Sequence, residues 1–191
     1  MFYTKDWAFF HIPKTSGTNL RICTEQQRPD FISILNMNMQ YWHLLMHKPL
    51  RWWIESRLIE PGIPIITFVR NPYARAVSFW KFATKFKNVE MPFYDFFHDE
   101  SNLFYGVRRW GFDQSWPQNK FIEDFPVEIF RIEDDLTYLE KRLKVNFLGT
   151  KHLASTYTKP YQDYYDTKTE KLIYKLYESD FDLYKYSKKL K

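Results

Sequence analysis

The chain has only one cysteine, Cys23, among its 191 residues. A single thiol excludes an intramolecular disulfide and a cysteine-rich zinc site, and we expect Cys23 to pack as a small apolar residue. No uninterrupted apolar run approaches the roughly 20 residues that a membrane-spanning helix needs. The first predicted strand begins within ten residues of Met1, so no signal peptide or membrane anchor is expected before it.

Glycine is also scarce, with five in the whole chain and only Gly17 in the first 60 residues. Two glycine-dependent phosphate-binding motifs are therefore missing. The Walker pattern requires a lysine directly after a glycine, whereas Lys14 precedes Gly17. The dinucleotide fingerprint requires three glycines at its own spacing, and the chain has no such triplet.

The stretch from Phe9 to Leu20 nevertheless has the pattern of a phosphate cradle. An apolar run that predicts a buried strand breaks at Pro13, and Lys14, three hydroxyl residues and Gly17 follow. A helix is predicted over 17–27 directly afterwards. Backbone N–H groups and hydroxyls can converge on an anion there, and the helix N-terminus adds partial positive charge. This pattern predicts a phosphorylated, nucleotide-like ligand.

A second strand-to-helix junction follows the apolar, β-branched run 64–69. Asn71 is a good N-cap and Pro72 a good first helical residue. Arg70 is therefore predicted at the C-terminal end of a strand, with Ser78 about two turns into the next helix. Arg75 is predicted to have a structural role, paired with an acid.

Both junctions resemble motifs of the carbohydrate sulfotransferases that use 3′-phosphoadenosine 5′-phosphosulfate (PAPS). His11–Thr18 is similar to their 5′-phosphosulfate loop, and Arg70–Ser78 to their 3′-phosphate motif. The resemblance implies that Arg70 and Ser78 bind the 3′-phosphate and that Lys14 assists the leaving phosphate. It also implies a set of residues around the phosphosulfate: Pro13, Lys14, Thr15, Ser16, Gly17, Thr18 and Asn19.

A general base is expected between the two motifs, where many members of that family have a histidine. His43 is the first choice and His47 the alternate; four residues apart, they would share one face of a helix. His11 is either a base or a structural histidine. The two histidines lack the glutamate of a His-Glu-x-x-His motif and a nearby third ligand, so no catalytic metal is expected.

The second half of the chain resembles the same family more loosely. Segments 116–122 and 130–136 are similar to family segments, and they are as compatible with packing as with chemistry. Ser155 lies in segment 151–156, where the family places a loop over the nucleotide. Contact of Ser155 or of Thr156 with the nucleotide is therefore an implication of the resemblance.

Strands alternate with helices along the chain, which predicts an α/β fold with a central parallel sheet flanked by helices. The resemblance specifies a P-loop-like sulfotransferase fold, and the length favours one domain over 1–191. Further elements are expected at about 48–59, after Pro92, at 127–132, after 133–135 and at about 167–179. Aromatic residues make up 20% of the chain, a composition typical of a folded core rather than of disorder.

The resemblance implies a PAPS-dependent sulfotransferase that acts on a hydroxyl of a carbohydrate or glycolipid. The formal charge of +5 suits an anionic ligand, but basic residues are scattered and no nucleic-acid partner is expected. Because no targeting signal is visible, we expect a cytoplasmic protein of the bacterial or phage kind. The alternatives are a kinase-like phosphotransferase and an inactive nucleotide-binding protein of the same fold.

Overall fold

The computed structural model describes residues 1–33, 47–59, 61–103, 114–134, 136–147 and 159–190. Five strands are found there: β1 (Phe2–Tyr3), β2 (Ala8–Phe10), β3 (Ile32–Ser33), β4 (Ile65–Val69) and β5 (Glu128–Arg131). The α-helices are α1 (Gly17–Gln27), α2 (Leu50–Glu55), α3 (Pro72–Lys87), α4 (Phe93–His98), α5 (Glu100–Leu103), α6 (Asn119–Ile122), α7 (Leu136–Leu143), α8 (Thr167–Leu176) and α9 (Glu178–Leu183). A 3-10 helix covers Tyr161–Tyr164.

The chain divides into two compact units. The first unit comprises Met1–Val69 and Lys120–His152, and the second comprises Arg70–Asn119 and Leu153–Lys191. The single domain expected over 1–191 stays a prediction.

The first unit contains a mixed five-stranded sheet in the order β3-β1-β2-β4-β5. Strand β2 pairs in parallel with β4, and β4 with β5. Strand β1 pairs antiparallel with both β2 and β3, so the expected parallel sheet is wrong at this side. The reason is the short connection between β1 and β2, closed by a hydrogen bond from Thr4 N–H to the Trp7 carbonyl (2.9 Å). A parallel pair would need a crossover of a dozen residues or more.

An aromatic and aliphatic core fills one face of this sheet between α1 and α7. It includes Cys23, which is fully buried as expected. The members of this core are Phe2, Trp7, Phe9, Leu20, Cys23, Ile66, Phe68, Leu139, Leu143 and Val145. Helix α1 begins at Gly17, seven residues after the last residue of β2. The N-terminus of α1 therefore lies near the C-terminal end of β2.

In the second unit, all the described regular elements are helical. Its aromatic side chains pack against one another; the Tyr73 ring, for example, lies 5.2 Å from that of Tyr165 in an edge-to-face arrangement and 4.8 Å from the tilted ring of Phe181. The Asn71 side chain accepts hydrogen bonds from the N–H groups of Tyr73 (2.9 Å) and Ala74 (3.4 Å) and so caps α3. The predicted N-cap is therefore confirmed.

In the ranges that the structure covers, no helix is both long and apolar enough to cross a bilayer. The predicted helix over 17–27 and the strands near 64–69 and 127–132 are confirmed. The helix expected over about 48–59 is shorter, and the last predicted helix is interrupted near Tyr177.

Candidate functional site

The loop between β2 and α1 has an unusual backbone. Lys14 and Ser16 both have left-handed φ angles, 67° and 66°. Each such residue costs on the order of 1–2 kcal/mol when it is not glycine. Alternation of left-handed residues turns successive N–H groups toward one side of the chain, an arrangement that forms an anion-binding concavity.

Helix α1 begins directly after this loop at Gly17. Its N-cap residue, Ser16, makes no side-chain capping hydrogen bond. The N–H groups of Asn19 and Leu20 both point back to the Ser16 carbonyl, at 2.9 and 3.3 Å. Because the N-terminus of a helix carries a partial positive charge, the start of α1 adds such a charge beside the left-handed loop.

Gly17 is required by space rather than by its φ angle. A Cβ atom at this position would lie 2.6 Å from Cγ and Nε2 of His11. Real side chains do not tolerate so close a contact, so the imidazole of His11 and the first residue of α1 fit together only if residue 17 is glycine. The His11 ring therefore holds the start of the helix against the end of the strand.

The His47 side chain packs against the ring of His11. The ring centroids of His11 and His47 are 4.8 Å apart, and Nδ1 of His47 lies 3.5 Å from the His11 carbonyl oxygen. The structure therefore places His47, one of the two candidate bases, beside His11. His43, the first choice, lies outside the described residues, as does Ser155.

Burial lowers the pKa of His11 well below its usual value of 6.5. The positive charges of neighbouring His47 and Lys14 lower this pKa further. The imidazole of His11 is therefore neutral near pH 7, which favours a structural role over that of a proton carrier. The positive charge of Lys14 also makes the surroundings of the loop electropositive.

The other loop residues differ in what their side chains do. Thr15 is fully buried, and its hydroxyl donates to the Ile12 carbonyl at 2.9 Å, so this hydroxyl closes the loop on itself. Thr18 is exposed, and Lys14 is half-buried. The Asn19 side-chain oxygen accepts a hydrogen bond from the Cys23 thiol at 3.3 Å.

A cavity of about 250 Å³ adjoins the loop within the first unit. Polar side chains of Ser16 and Asn19 lie on its wall beside the start of α1. The rest of its lining is apolar and comes from α1, β4, the end of β5, α7 and the segment after α7: Leu20, Phe68, Ile132, Leu139 and Phe147. The sequence did not single out this cavity, because its lining residues have the pattern of ordinary core positions.

The residues of the second motif lie in the second unit. Arg70 is the residue after β4 and is half-buried, and Ser78 lies on α3 with only 3% of its surface exposed. The guanidinium of Arg75 donates to the carbonyl oxygens of Trp116 and Gln114, both at 2.9 Å. Arg75 is thus a structural residue, as predicted, although these two hydrogen bonds go to carbonyls rather than to an acid.

Comparison of the chain with family models, curated proteins and solved structures found no match. Among the described residues, no group of three histidine, cysteine, aspartate or glutamate side chains is placed to hold a metal ion.

Proposed function

We propose that this protein is a sulfotransferase that moves a sulfuryl group from PAPS to a hydroxyl of a carbohydrate or glycolipid. The observation that carries the proposal is the loop between β2 and α1. Two of its non-glycine residues, Lys14 and Ser16, adopt left-handed φ angles directly before a helix without a side-chain cap. Such strain persists where the surrounding structure imposes it, which is typical of functional sites.

The loop's role in this proposal is to bind the 5′-phosphosulfate. Backbone N–H groups around Lys14–Gly17 and the N-terminus of α1 attract an anion. A charged lysine adds a strong donor, because hydrogen bonds to ionised partners are roughly twice as strong as neutral ones. The proposed 3′-phosphate ligands are Arg70 and Ser78, from the resemblance of their motif.

The cavity beside the loop supports a nucleotide as the ligand. Its volume of about 250 Å³ and its aromatic and aliphatic lining suit a planar base. Ser16 and Asn19 supply polar groups where the base would join the more polar part of the nucleotide. Small-molecule sites commonly combine such an apolar lining with a few polar groups.

In the proposed reaction, the acceptor oxygen forms a new O–S bond while the bond from sulfur to the bridging phosphate oxygen breaks. Lys14 stabilises the negative charge that grows on the departing phosphate, so its effect is larger in the transition state than in the ground state. A histidine takes the hydroxyl proton, and 3′-phosphoadenosine 5′-phosphate (PAP) leaves. His43 and His47 remain the two candidates for this base, and the contact of His47 with His11 favours a position near the loop.

Substitution of Lys14 tests this proposal. In Lys14→Ala, we expect kcat for sulfuryl transfer to fall by about 100- to 1,000-fold, as for loss of one charge-stabilising donor at a transition state. The affinity for PAP should change much less. The measurement is transfer of radiolabelled sulfate from PAPS to a panel of glycans and glycolipids, beside calorimetric titration with PAP.

Lys5→Ala is the matched control, because the Lys5 side chain is exposed on the same unit. It should transfer sulfate at the wild-type rate. If wild-type protein binds PAP but transfers nothing to any acceptor, the protein is an inactive binder and the enzymatic proposal is wrong. In an active protein, His43→Ala and His47→Ala identify the base by loss of transfer with PAP binding retained.

A further inference from the structure

We infer that Gln118 and Asp180 are positioning residues that hold the main chain of Arg70 in place for 3′-phosphate binding. This inference rests on the proposed function, since it concerns the same ligand. The inference goes beyond the proposed function because it assigns a task to two buried polar residues that belong to neither phosphate motif. All the contacts that carry it lie within the second unit.

The side-chain amide of Gln118 pairs with both main-chain groups of Arg70. Its oxygen accepts a hydrogen bond from Arg70 N–H at 2.8 Å, and its nitrogen donates to the Arg70 carbonyl at 2.9 Å. Two such bonds are what a neighbouring strand would supply to an extended residue. Gln118 thus fixes the position and rotation of the Arg70 peptide groups from one side.

Asp180 in turn orients Gln118. One carboxylate oxygen of Asp180 accepts from Gln118 N–H at 2.8 Å and from the Gln118 amide nitrogen at 3.2 Å, and the other accepts from Asn119 N–H at 3.1 Å. Both Gln118 and Asp180 are fully buried. A buried polar network with satisfied partners is rigid, because each broken bond would leave a group without water to replace it.

Contacts of Arg75 and Asn71 fix the chain on either side of Gln118 and Arg70. Arg75, three residues before Ser78 on α3, donates to the Gln114 and Trp116 carbonyls and so fixes the segment that leads to Gln118. On the other side of Arg70, the Asn71 side chain caps α3. The main chain of Arg70 is therefore fixed by the capped helix start on one side and by the Gln118 side chain on the other. Its Cα position, from which the guanidinium side chain extends, is fixed as well.

The charge balance around Asp180 fits this role. Burial raises the pKa of the Asp180 carboxyl, while the charge of Arg75 and the hydrogen bonds from Gln118 and Asn119 oppose that rise. The donors that stabilise the carboxylate are thus the groups that it positions. A purely apolar packing role would require neither the carboxylate nor the amide.

The test is Gln118→Met, which keeps the length of the side chain and removes all its hydrogen bonds. Calorimetry measures affinity for PAP and for adenosine 5′-phosphate (AMP), which lacks the 3′-phosphate. We expect the PAP-to-AMP affinity ratio to fall by about tenfold, as for one weakened charge-assisted contact, with AMP affinity nearly unchanged. Asp180→Asn should lower the ratio in the same direction by a smaller factor.

Two controls separate positioning from general destabilisation. Thr169→Val removes another side-chain hydrogen bond of the second unit, from the hydroxyl of the buried Thr169 to the exposed Asp166 at 2.7 Å, and should leave the ratio unchanged. In an Arg70→Ala background, Gln118→Met should cause no further fall in the ratio, because the side chain through which it acts is gone.

The inference is overturned if wild-type protein prefers PAP to AMP and Gln118→Met keeps that preference. It is equally overturned if Gln118→Met lowers the ratio by the same factor in the Arg70→Ala background. If Gln118→Met does not fold, the PAP-to-AMP affinity ratio is measured for Asp180→Asn instead, alone and in the Arg70→Ala background. The same two results then overturn the inference. Wild-type protein without any preference for the 3′-phosphate would refute the proposed function itself, and this inference with it.

Discussion

At the scale of single residues, His11 stands out as a buried titratable group beside the loop. Its surroundings lower its pKa through burial first and then through neighbouring positive charge from His47 and Lys14. A base whose pKa is lower in the folded than in the unfolded chain stabilises the fold above the unfolded pKa. That contribution is lost as the pH falls below about 6.5, because only the unfolded chain takes up the proton.

His11→Gln tests this effect, since glutamine does not titrate. As the pH falls from 7.5 to 5.5, wild-type protein should lose up to about 1.4 kcal/mol of unfolding free energy relative to His11→Gln. The measurement is urea denaturation of both proteins across this range. Parallel stability curves for the two proteins would mean that His11 titrates alike in the folded and unfolded chains, against the assignment of a neutral structural imidazole.

Residue roles were only partly predictable from the sequence. Gly17 could be identified from the sequence as part of a phosphate cradle. Its close approach to the His11 ring, which is what requires a glycine, appears only in the folded structure. Thr15 has the residue type of a phosphate ligand, yet its hydroxyl bonds to Ile12. Gln118 stood in a segment compatible with packing, and nothing in the sequence connects it with Asp180, because 62 residues separate them.

At the scale of elements, the junction between β2 and α1 depends on the fit of Gly17 against His11. In Gly17→Ala, the new Cβ would meet the imidazole, so we expect a loss of about 1–3 kcal/mol of unfolding free energy, as for overpacked core sites. His11→Ala in the same chain should recover part of that loss, because the obstructing ring is removed. The measurement is a double-mutant cycle by urea denaturation of the ligand-free protein.

Gly62→Ala is the control for this cycle. Gly62 has a φ of +83° and open space around its would-be Cβ, so alanine costs about 1 kcal/mol there through the backbone alone. Its effect should add to that of His11→Ala without coupling. Additivity between Gly17→Ala and His11→Ala would contradict the proposed fit.

Long elements with clear end signals were predictable, and very short ones were not. Asn71 and Pro72 mark the start of α3, and the leucines of α7 mark its apolar face, so both helices are found where expected. Strands β1 and β3 have two residues each. Two residues carry no periodic pattern, so their antiparallel pairing depends on tertiary contacts and on the tight turn after β1.

At the scale of the whole molecule, the high aromatic content is divided between two cores. The first unit packs Phe2, Trp7, Phe9 and Phe68 between sheet and helices, and the second packs Tyr73, Phe79, Phe96 and Phe181 among helices. The alternation of strands and helices predicted the α/β class, because it reflects the first unit's sheet. It did not predict the helical second unit.

The central claim is the proposal that the chain binds PAP or PAPS. The most direct measurement is calorimetric titration of the wild-type protein with PAP, AMP and Mg·ATP. We predict metal-independent binding of PAP that is at least about tenfold tighter than binding of AMP, as one charge-assisted contact to the 3′-phosphate implies. Equal affinity for PAP and AMP, or a preference for Mg·ATP, would contradict the claim.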